Sequence, residues 1–411
     1  MRKTLLGAAL TLATALPADA QWAQWGGPGR DFAVDVEGLA DAWPEAGPPV
    51  LWRRPLGSHG HSSIVVEGGV LYTPYRDGAD DVLLAADPET GETLWEHRHP
   101  GPLPADFNEQ FGPGPHATPL VAGGRVFSIN ATVVLTALDA GEGTLLWQRD
   151  LAKELGAPTA GRGYGASPLA CGGLVIAYVG GEGQAVVAFD QATGEVVWKV
   201  LDGHASYSSP LLAEIDGTEQ VVVALGGKRA GLAPADGALL WELDLPESAG
   251  SMMSTLIVHG NRIFGSAAYA DGSRLIEVKK QDDGWSAREL WYSRKLRLMH
   301  GVAVRFGDHV YASSGDFGPA FLAALSLETG DLAFRARGFA KANVTRIAPD
   351  RALILDEDGV LALAEPSPAG LEILASAKVL DGVSWTAPTV VGTRAYLRNR
   401  TEMLALELGV S

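Results

Sequence analysis

The chain of 411 residues contains a single cysteine, Cys171. One thiol cannot form an intramolecular disulfide, so the fold must be stabilised by its core alone. Cys171 lies in the apolar stretch 169–176, where a free thiol commonly behaves as a small hydrophobic side chain. We therefore interpret it as an inert, buried residue.

Basic residues are scarce: 32 Lys and Arg stand against 49 Asp and Glu, which gives a net charge of −17. This acidity argues against nucleic acid and against anionic lipid surfaces as partners. Beyond the N-terminus no apolar run is long enough to span a membrane, so no membrane span is expected. The sequence also lacks a Walker loop, a zinc-protease motif and a serine nucleophile elbow, so it identifies no catalytic residues.

Calcium loops are absent as well. Acidic clusters occur at 77–81, 282–283 and 356–358, but none has the spacing and closing glutamate of a calcium-binding loop. We predict solvated turns at these positions and no metal site.

The first twenty residues have the order of a secretory signal peptide. Arg2 and Lys3 give a positive start, residues 5–16 are a short apolar run, and 18–20 read Ala-Asp-Ala. This order predicts a signal peptide over 1–20, cleavage before Gln21 and a periplasmic or secreted protein. The alternative is an uncleaved N-terminal anchor. No cysteine lies near the cleavage point, so we expect no lipid anchor.

A short sequence motif, called the repeated phrase below, recurs along the rest of the chain. In the first copy Asp87 opens the phrase, Gly91 follows four residues later, and Trp95 closes it after four more. The same positions hold Asp139, Gly143 and Trp147, then Asp190, Gly194 and Trp198, and weaker copies end at Trp241 and Phe334. The copies lie roughly 40–50 residues apart, the period of a propeller blade. Periodic Gly and aromatic positions at this spacing predict an all-β propeller of four-stranded sheets.

The strand-and-turn pattern can be followed eight times. The predicted blades span about 61–98, 116–149, 165–200, 207–244, 253–292, 300–336, 343–376 and 385–408. The last repeat lacks its fourth strand, and the N-terminal segment 49–55 resembles a fourth strand without a repeat. We therefore predict an eight-bladed β-propeller over 49–411 that its N-terminal strand closes, which leaves no unpaired sheet edge. Seven blades remain the alternative, because the fifth and seventh repeats are degenerate.

Three features of the repeats and their leader suggest structural roles. The repeated tryptophans are best explained by packing between neighbouring blades, since large aromatic side chains usually serve burial. The repeated aspartates suit the turns that they open, where a carboxylate can accept backbone N–H groups. Residues 21–48 form a Trp-rich N-terminal extension outside the repeats, and its tryptophans predict docking onto the propeller.

The repeats resemble the quinoprotein-type β-propeller repeat, with its Asp-x-x-Thr-Gly-x-x-x-Trp signature, over about residues 50–411. The leader from Trp22 to Arg30 is similar to a Trp-rich leader that precedes such propellers in exported bacterial proteins, although Gly26 replaces its usual arginine. Two branches share this repeat. One comprises alcohol dehydrogenases that use pyrroloquinoline quinone (PQQ), and the other comprises non-enzymatic scaffolds such as the propeller lipoprotein of the outer-membrane barrel assembly machinery.

The resemblance implies different functions in the two branches. The dehydrogenase branch holds PQQ under a disulfide between adjacent cysteines, beside a bound Ca²⁺, and Cys171 alone cannot form that disulfide. The scaffold branch matches better in length, although its lipid-bearing cysteine is absent. We therefore expect an exported, non-enzymatic binding or assembly scaffold with no cofactor and with an unidentified protein or small-molecule partner. The alternative is a PQQ- and calcium-dependent oxidoreductase that acts on alcohols or sugars.

Alignment of the repeats brings one position of each blade to the mouth of the central channel. This position holds His61, His116, Gly165, Tyr207, Met253, His300, Asn343 and Trp385. Loops on a rigid scaffold around a concave mouth commonly form binding sites, so we predict a pocket for a small molecule or peptide there. The alternative is a solvated polar rim without a ligand. A metal site is disfavoured, because blade 6 should lie far around the ring from blades 1 and 2.

Overall fold

The computed structural model describes residues 21–159, 161–246, 254–269, 271–315 and 320–410. The predicted signal peptide and Met253 lie outside these ranges. Within them, 32 strands form eight four-stranded antiparallel sheets, and the sheets are arranged in a ring in which most neighbouring first strands contact one another. The predicted eight-bladed all-β propeller is therefore confirmed, and the seven-bladed alternative is wrong.

The chain begins its strands with β1 (Val50–Pro55) and then builds blades 1 to 4, each from one continuous segment. From the channel outward, their strands are β2 (Val65–Glu67), β3 (Val70–Asp77), β4 (Asp80–Ala86) and β5 (Thr93–Pro100); β6 (Leu120–Ala122), β7 (Arg125–Ile129), β8 (Val134–Asp139) and β9 (Leu145–Asp150); β10 (Leu169–Cys171), β11 (Leu174–Tyr178), β12 (Val186–Asp190) and β13 (Val196–Val200); β14 (Leu211–Ile215), β15 (Thr218–Leu225), β16 (Lys228–Leu232) and β17 (Leu239–Asp244).

Blades 5 to 7 follow the same plan. Their strands are β18 (Ile257–His259), β19 (Arg262–Ser266), β20 (Ser273–Gln281) and β21 (Gly284–Ser293); β22 (Val304–Phe306), β23 (His309–Ser314), β24 (Phe321–Ser326) and β25 (Leu332–Arg337); β26 (Asn343–Ala348), β27 (Arg351–Leu355), β28 (Val360–Ser367) and β29 (Gly370–Lys378). Blade 8 contains β30 (Thr389–Val391), β31 (Arg394–Arg398) and β32 (Glu402–Glu407), with β1 as its outer strand.

Helical structure is confined to two short elements among the described residues. A 3₁₀ turn, Glu109–Phe111, lies between β5 and β6, and the helix α1 (Leu151–Leu155) follows β9. The described part of the chain therefore contains no helix with the length and hydrophobicity to cross a membrane.

Strand β1 closes the ring as predicted. It runs antiparallel to β32, with Trp52 opposite Ala405 and Pro55 opposite Glu402. The Trp52 side chain is only 9% exposed, and its indole N–H donates to the Pro88 carbonyl of blade 1 at 2.9 Å. The N-terminal strand thus completes blade 8 and also contacts blade 1.

The Gly and Trp of the repeated phrase meet between neighbouring blades. Trp95 of blade 1 lies over Gly143 of blade 2, where an added Cβ would be 2.5 Å from the indole, and its N–H donates to Ala140 at 3.1 Å. The same arrangement recurs in the pairs Trp52–Gly91, Trp147–Gly194, Trp198–Gly237 and Trp291–Gly330. One glycine therefore admits the indole of the preceding blade at each of these joints.

Trp241 differs from the other repeat tryptophans. Its indole N–H donates to the Gln220 side chain of its own blade at 2.6 Å. Blade 5 joins its outer strands by the long hairpin β20–β21 instead of the repeated turn, so no turn carbonyl meets this indole.

The repeated aspartate organises the turn that it opens. Asp87 accepts the amides of Glu89 and Thr90 at 2.7 and 3.0 Å. Asp139 and Asp190 each accept two amides at the same positions of their turns. The phrase therefore combines a turn and an inter-blade contact.

The Trp-rich leader crosses one end of the central channel. It bonds to blades 1, 3, 5, 7 and 8 through the pairs Trp22–Val66, Arg30–Pro168, Trp25–Thr255, Val34–Arg346 and Ala40–Leu408. Trp22 is 1% exposed, and its backbone pairs with the end of β2. The leader therefore covers the channel at the end where the inner strands finish.

Candidate functional site

The ring positions predicted from the repeats converge on one cavity at the open end of the channel. Its lining includes His61, His116, Gly165, Tyr207, His300, Asn343 and Trp385. The cavity offers about 150 Å³ to the centres of water molecules. One water needs only about 10–15 Å³, so there is room for a larger group. The structure thus places these residues together, and their binding role stays a prediction.

Four of these side chains form a continuous aromatic stack. The rings of His300 and Trp385 are 4.3 Å apart and nearly parallel at 9°. Trp385 is 5.1 Å from His61, which is 5.7 Å from His116. Blade 6 is separated from blades 1 and 2 around the ring, and the Trp385 indole of blade 8 bridges the mouth between His300 and His61.

This stack does not form a metal centre. Rings that face each other at these spacings do not direct their nitrogens to one point, whereas a zinc ion needs ligands at a little over ~2 Å. No group of three or more His, Cys, Asp or Glu in the described ranges is arranged to hold a metal ion.

The three imidazoles are neutral at neutral pH. Burial lowers the pKa of His116 and of His300 to about 4, and the cations Arg400 and Lys341 act in the same direction. Burial also lowers the pKa of His61 well below its ordinary value, with His116 as the next cause. A neutral imidazole has one N–H donor and one acceptor nitrogen. In His300 the Nε2 atom is buried and free to face a ligand.

Cations surround the mouth. Arg162 lines the cavity, with its guanidinium 5.2 Å from the Phe111 ring. Arg400 donates to the His61 Nε2 at 3.1 Å and lies 5.2 Å from the Trp385 ring. No described residue in the cavity lining carries a carboxylate. Although the chain is strongly acidic, the described lining therefore contains a cation and no anion, and the nearby Glu357 carboxylate is paired with Lys341.

Several lining residues come from outside the predicted repeats, among them Phe111 and Trp25, and the sequence reasoning missed their role. Phe111, on the 3₁₀ turn, meets the His300 ring edge-on at 4.9 Å and covers the stack. Trp25, on the leader, lines the cavity from the opposite end and donates to Thr255 at 2.7 Å. The Trp-rich composition of the leader was a signal for docking, but the repeat pattern carries no information about Phe111.

A belt of hydroxyls lies two residues beyond the ring positions. The amide of Ser63 donates to the Thr118 hydroxyl, the amide of Thr118 to Ser167, and the amide of Ser167 to Ser209, at 2.8–2.9 Å. These bonds run from blade to blade and hold the inner strands at fixed spacing. The ring position above the belt is therefore rigidly supported.

Several polar atoms at the cavity lack partners in the protein. Asn343 is 1% exposed, and its Nδ2 has no hydrogen bond. The Nε2 atoms of His116 and His300 are also buried and unpaired. An unpaired buried polar group costs about 1–3 kcal/mol, so such groups call for a ligand or water in the cavity.

Acid is expected to destabilise the fold between about pH 6.5 and pH 4 in part through His116 and His300. Each of these imidazoles has a pKa near 6.5 in the unfolded chain and a pKa of about 4 in the folded chain. The unfolded state therefore binds more protons in this range, and stability that is complete above pH 6.5 falls as the pH falls to 4. We expect His300→Gln to lose less stability than the unaltered protein between pH 7 and 4.5, as measured by urea unfolding. Equal losses in both proteins would contradict the assignment.

Comparison with known sequences gives one family. The family model described as outer membrane protein assembly factor BamB matches residues 79–336, more than half of the chain. A protein of that description from Yersinia pestis is 25% identical over 262 residues, which cover 60% of this chain and 63% of the relative. The chain spans less than two thirds of the length of the curated relatives that it matches.

Comparison with solved structures shows the fold. BamB from Moraxella catarrhalis superimposes with a TM-score of 0.62 at 18% identity and covers 87% of this chain and 99% of its own. A quinohemoprotein alcohol dehydrogenase from Comamonas testosteroni superimposes with a TM-score of 0.64 at 14% identity. The superposition covers 97% of this chain and 82% of the dehydrogenase. At these identities the likeness extends to the propeller fold and does not choose between the two functions.

Proposed function

The chain belongs to the family of the outer membrane protein assembly factor BamB, and from this membership we propose that it is an exported, non-enzymatic binding or assembly scaffold. It acts in the periplasm or outside the cell and recognises its partner at the axial mouth. The observation that carries the proposal is the cavity there, which the leader covers at one end and which chemically different side chains line at one repeat position.

The diversity of the ring position supports a binding role. A position that served only the architecture would tend toward one residue type, as the Ser and Thr of the hydroxyl belt do. The ring position instead holds imidazoles, an amide, a phenol and an indole. Aromatic rings supply apolar contact while amide and imidazole groups orient a partner.

The residues present do not fit the cofactor of the competing function. A PQQ-dependent oxidoreductase of this fold needs oxygen ligands for Ca²⁺, which favours several carboxylate or carbonyl groups. The described cavity lining offers hydroxyls and the Asn343 amide but no carboxylate. Cys171 is the only cysteine in the chain, so two adjacent cysteines are not available either. We therefore favour the scaffold.

Replacing His116 and Trp385 together by alanine should abolish partner binding without unfolding the propeller. The double variant removes two members of the aromatic stack but no repeat contact between blades. His259→Ala with Trp285→Ala is the matched control, since it removes the same residue types from positions of blade 5 that do not line the cavity. Tagged proteins are to be exported in a Gram-negative host, purified, and their co-purifying proteins quantified by mass spectrometry.

We expect the cavity variant to recover its partners at least tenfold less than the unaltered protein, and the control to recover them normally. Circular dichroism should show that both variants are folded. If the cavity variant retains every partner, the proposed site is wrong. Dye-linked alcohol oxidation after addition of PQQ and Ca²⁺ to the purified protein would overturn the non-enzymatic assignment.

A further inference from the structure

We propose that the axial cavity binds a carboxylate that is carried by a compact apolar group. This chemistry occurs in small organic acids and at the C-terminal residue of a peptide. The inference rests on the proposed function, because it names the ligand chemistry of the same cavity.

Charge is the first argument. Arg162 in the cavity wall bonds to the neutral side chains of Gln110 and Tyr269 at 3.2 and 3.5 Å. Arg400 at the mouth donates to the neutral His61 ring. Glu357, behind Trp385, is already held by the Lys341 ammonium at 2.7 Å. The cavity therefore has guanidinium groups that a carboxylate can pair with, and guanidinium binds carboxylate well because the two groups match in geometry.

Two buried arginines beneath the mouth add to this field. Arg30 of the leader is 3% exposed and donates to the carbonyl groups of Pro168 and Ser167. Arg398 is 1% exposed and donates to the Thr73 hydroxyl and the Pro74 carbonyl. These bonds go to neutral oxygens, so they leave the positive charges uncompensated. In a cleft with low-dielectric walls, such charges raise the local concentration of anions.

The unpaired atoms give the second argument. The Asn343 Nδ2 is a donor, and it is buried without an acceptor. Neutral His300 can turn an N–H toward the cavity through its unpaired Nε2, whereas backbone hydrogen bonds to Arg162 and Gly112 engage the His116 ring. A carboxylate is an acceptor with about four lone-pair sites, so one group can satisfy several of these donors. A cationic ligand, which only donates, would leave the Asn343 amide unpaired.

The shape of the cavity gives the third argument. Trp25 lies across its inner end, and Met299, Val302 and Phe111 contribute apolar surface. Because the leader covers the far end of the channel, a ligand enters from the Phe111 side and cannot pass through. Such a cavity accepts the end of a molecule, with apolar surface for its body and donors for a terminal carboxylate.

Titration calorimetry with matched acids and amides tests this inference on the whole protein. The probes are 3-phenylpropionate and acetyl-Ala-Ala-Leu with a free C-terminus, each compared with its uncharged amide. We expect the acids to bind at least tenfold more tightly than their amides. If only 3-phenylpropionate binds, the ligand is a small organic acid. If the peptide acid binds more tightly, the ligand is the C-terminus of a chain. Equal affinity of acids and amides, or no binding at millimolar concentration, would overturn the inference.

Two variants locate the interaction. Arg162→Gln should abolish the preference for acids, while Arg335→Gln on the outer strand β25 should retain it. Asn343→Leu should weaken acid binding at least tenfold without lowering the urea midpoint, because the lost amide donor has no partner in the free protein. Acid binding that survives in both cavity variants would overturn the inference. If acids fail to bind while partner recovery still depends on His116 and Trp385, the ligand chemistry is wrong and the scaffold function stands.

Discussion

Replacement of Trp52 by alanine is expected to lower the free energy of unfolding by about 3–5 kcal/mol, the usual cost of removing a buried indole. The side chain is 9% exposed and lies over Gly91 of blade 1, while its strand completes blade 8. One substitution therefore removes contacts on both sides of the ring closure. Urea unfolding followed by circular dichroism measures the effect.

Leu51→Ala is the matched control for Trp52→Ala. Leu51 lies on the same strand but is 38% exposed, so its removal should cost far less. Hydrogen exchange gives a second measurement, since the Trp52 variant should lose protection selectively in β1 and β32. If β1 contributed little to ring closure, the two variants would have equal urea midpoints and hydrogen exchange in β32 would be unchanged.

Gly143→Ala is expected to destabilise the protein by about 2–5 kcal/mol. Gly143 has φ +69°, a left-handed conformation that strains any other residue, and an added Cβ would lie 2.5 Å from the Trp95 indole. Backbone strain of about 1–2 kcal/mol and overpacking of about 1–3 kcal/mol therefore act together. Thermal and urea unfolding measure the loss.

Gly124→Ala in the same blade separates these two costs. Gly124 has φ +72°, nearly the same conformation, but nothing lies within 4 Å of the position that a Cβ would take. This control should show only the backbone strain, about 1–2 kcal/mol. Equal losses in both variants would mean that the contact between the glycine and the tryptophan of the preceding blade does not limit packing.

The repeated phrase allowed the fold to be predicted because it encodes a contact that recurs around the ring. Its aspartate forms a turn, its glycine makes space, and its aromatic residue fills the space offered by the next blade. The missing fourth strand of the last repeat was likewise visible, since the Trp52 segment had a strand's pattern without a repeat. Blade 5 departs from the phrase, and there Trp241 takes a different partner.

The ring positions were predictable for a related reason. Equivalent positions of a closed repeat lie at equal distance from its axis, so His61, His116 and Trp385 had to approach one another. The reach of individual side chains was not predictable. His300 meets Trp385 only because the indole extends across the mouth at a particular rotamer.

Phe111 and Trp25 could not be placed in the site from the sequence. Phe111 lies on a 3₁₀ turn in the connection between blades 1 and 2, which has no counterpart in the repeat. Trp25 reaches the cavity because the leader folds back across the channel and bonds to Thr255, about 230 residues away in sequence. Contacts of this kind depend on the path of non-repeated segments, and no local pattern encodes them.

Site-specific photo-crosslinking in living cells tests the binding function most directly. A benzophenone amino acid in place of Phe111 would report on molecules at the axial mouth, and the same group in place of Leu146, which is 45% exposed on the outer strand β9, would report on the blade surface. We expect discrete adducts from position 111 that disappear when His116 and Trp385 are also replaced by alanine. Adducts that form only from position 146, or that persist from position 111 in the double variant, would contradict the axial site.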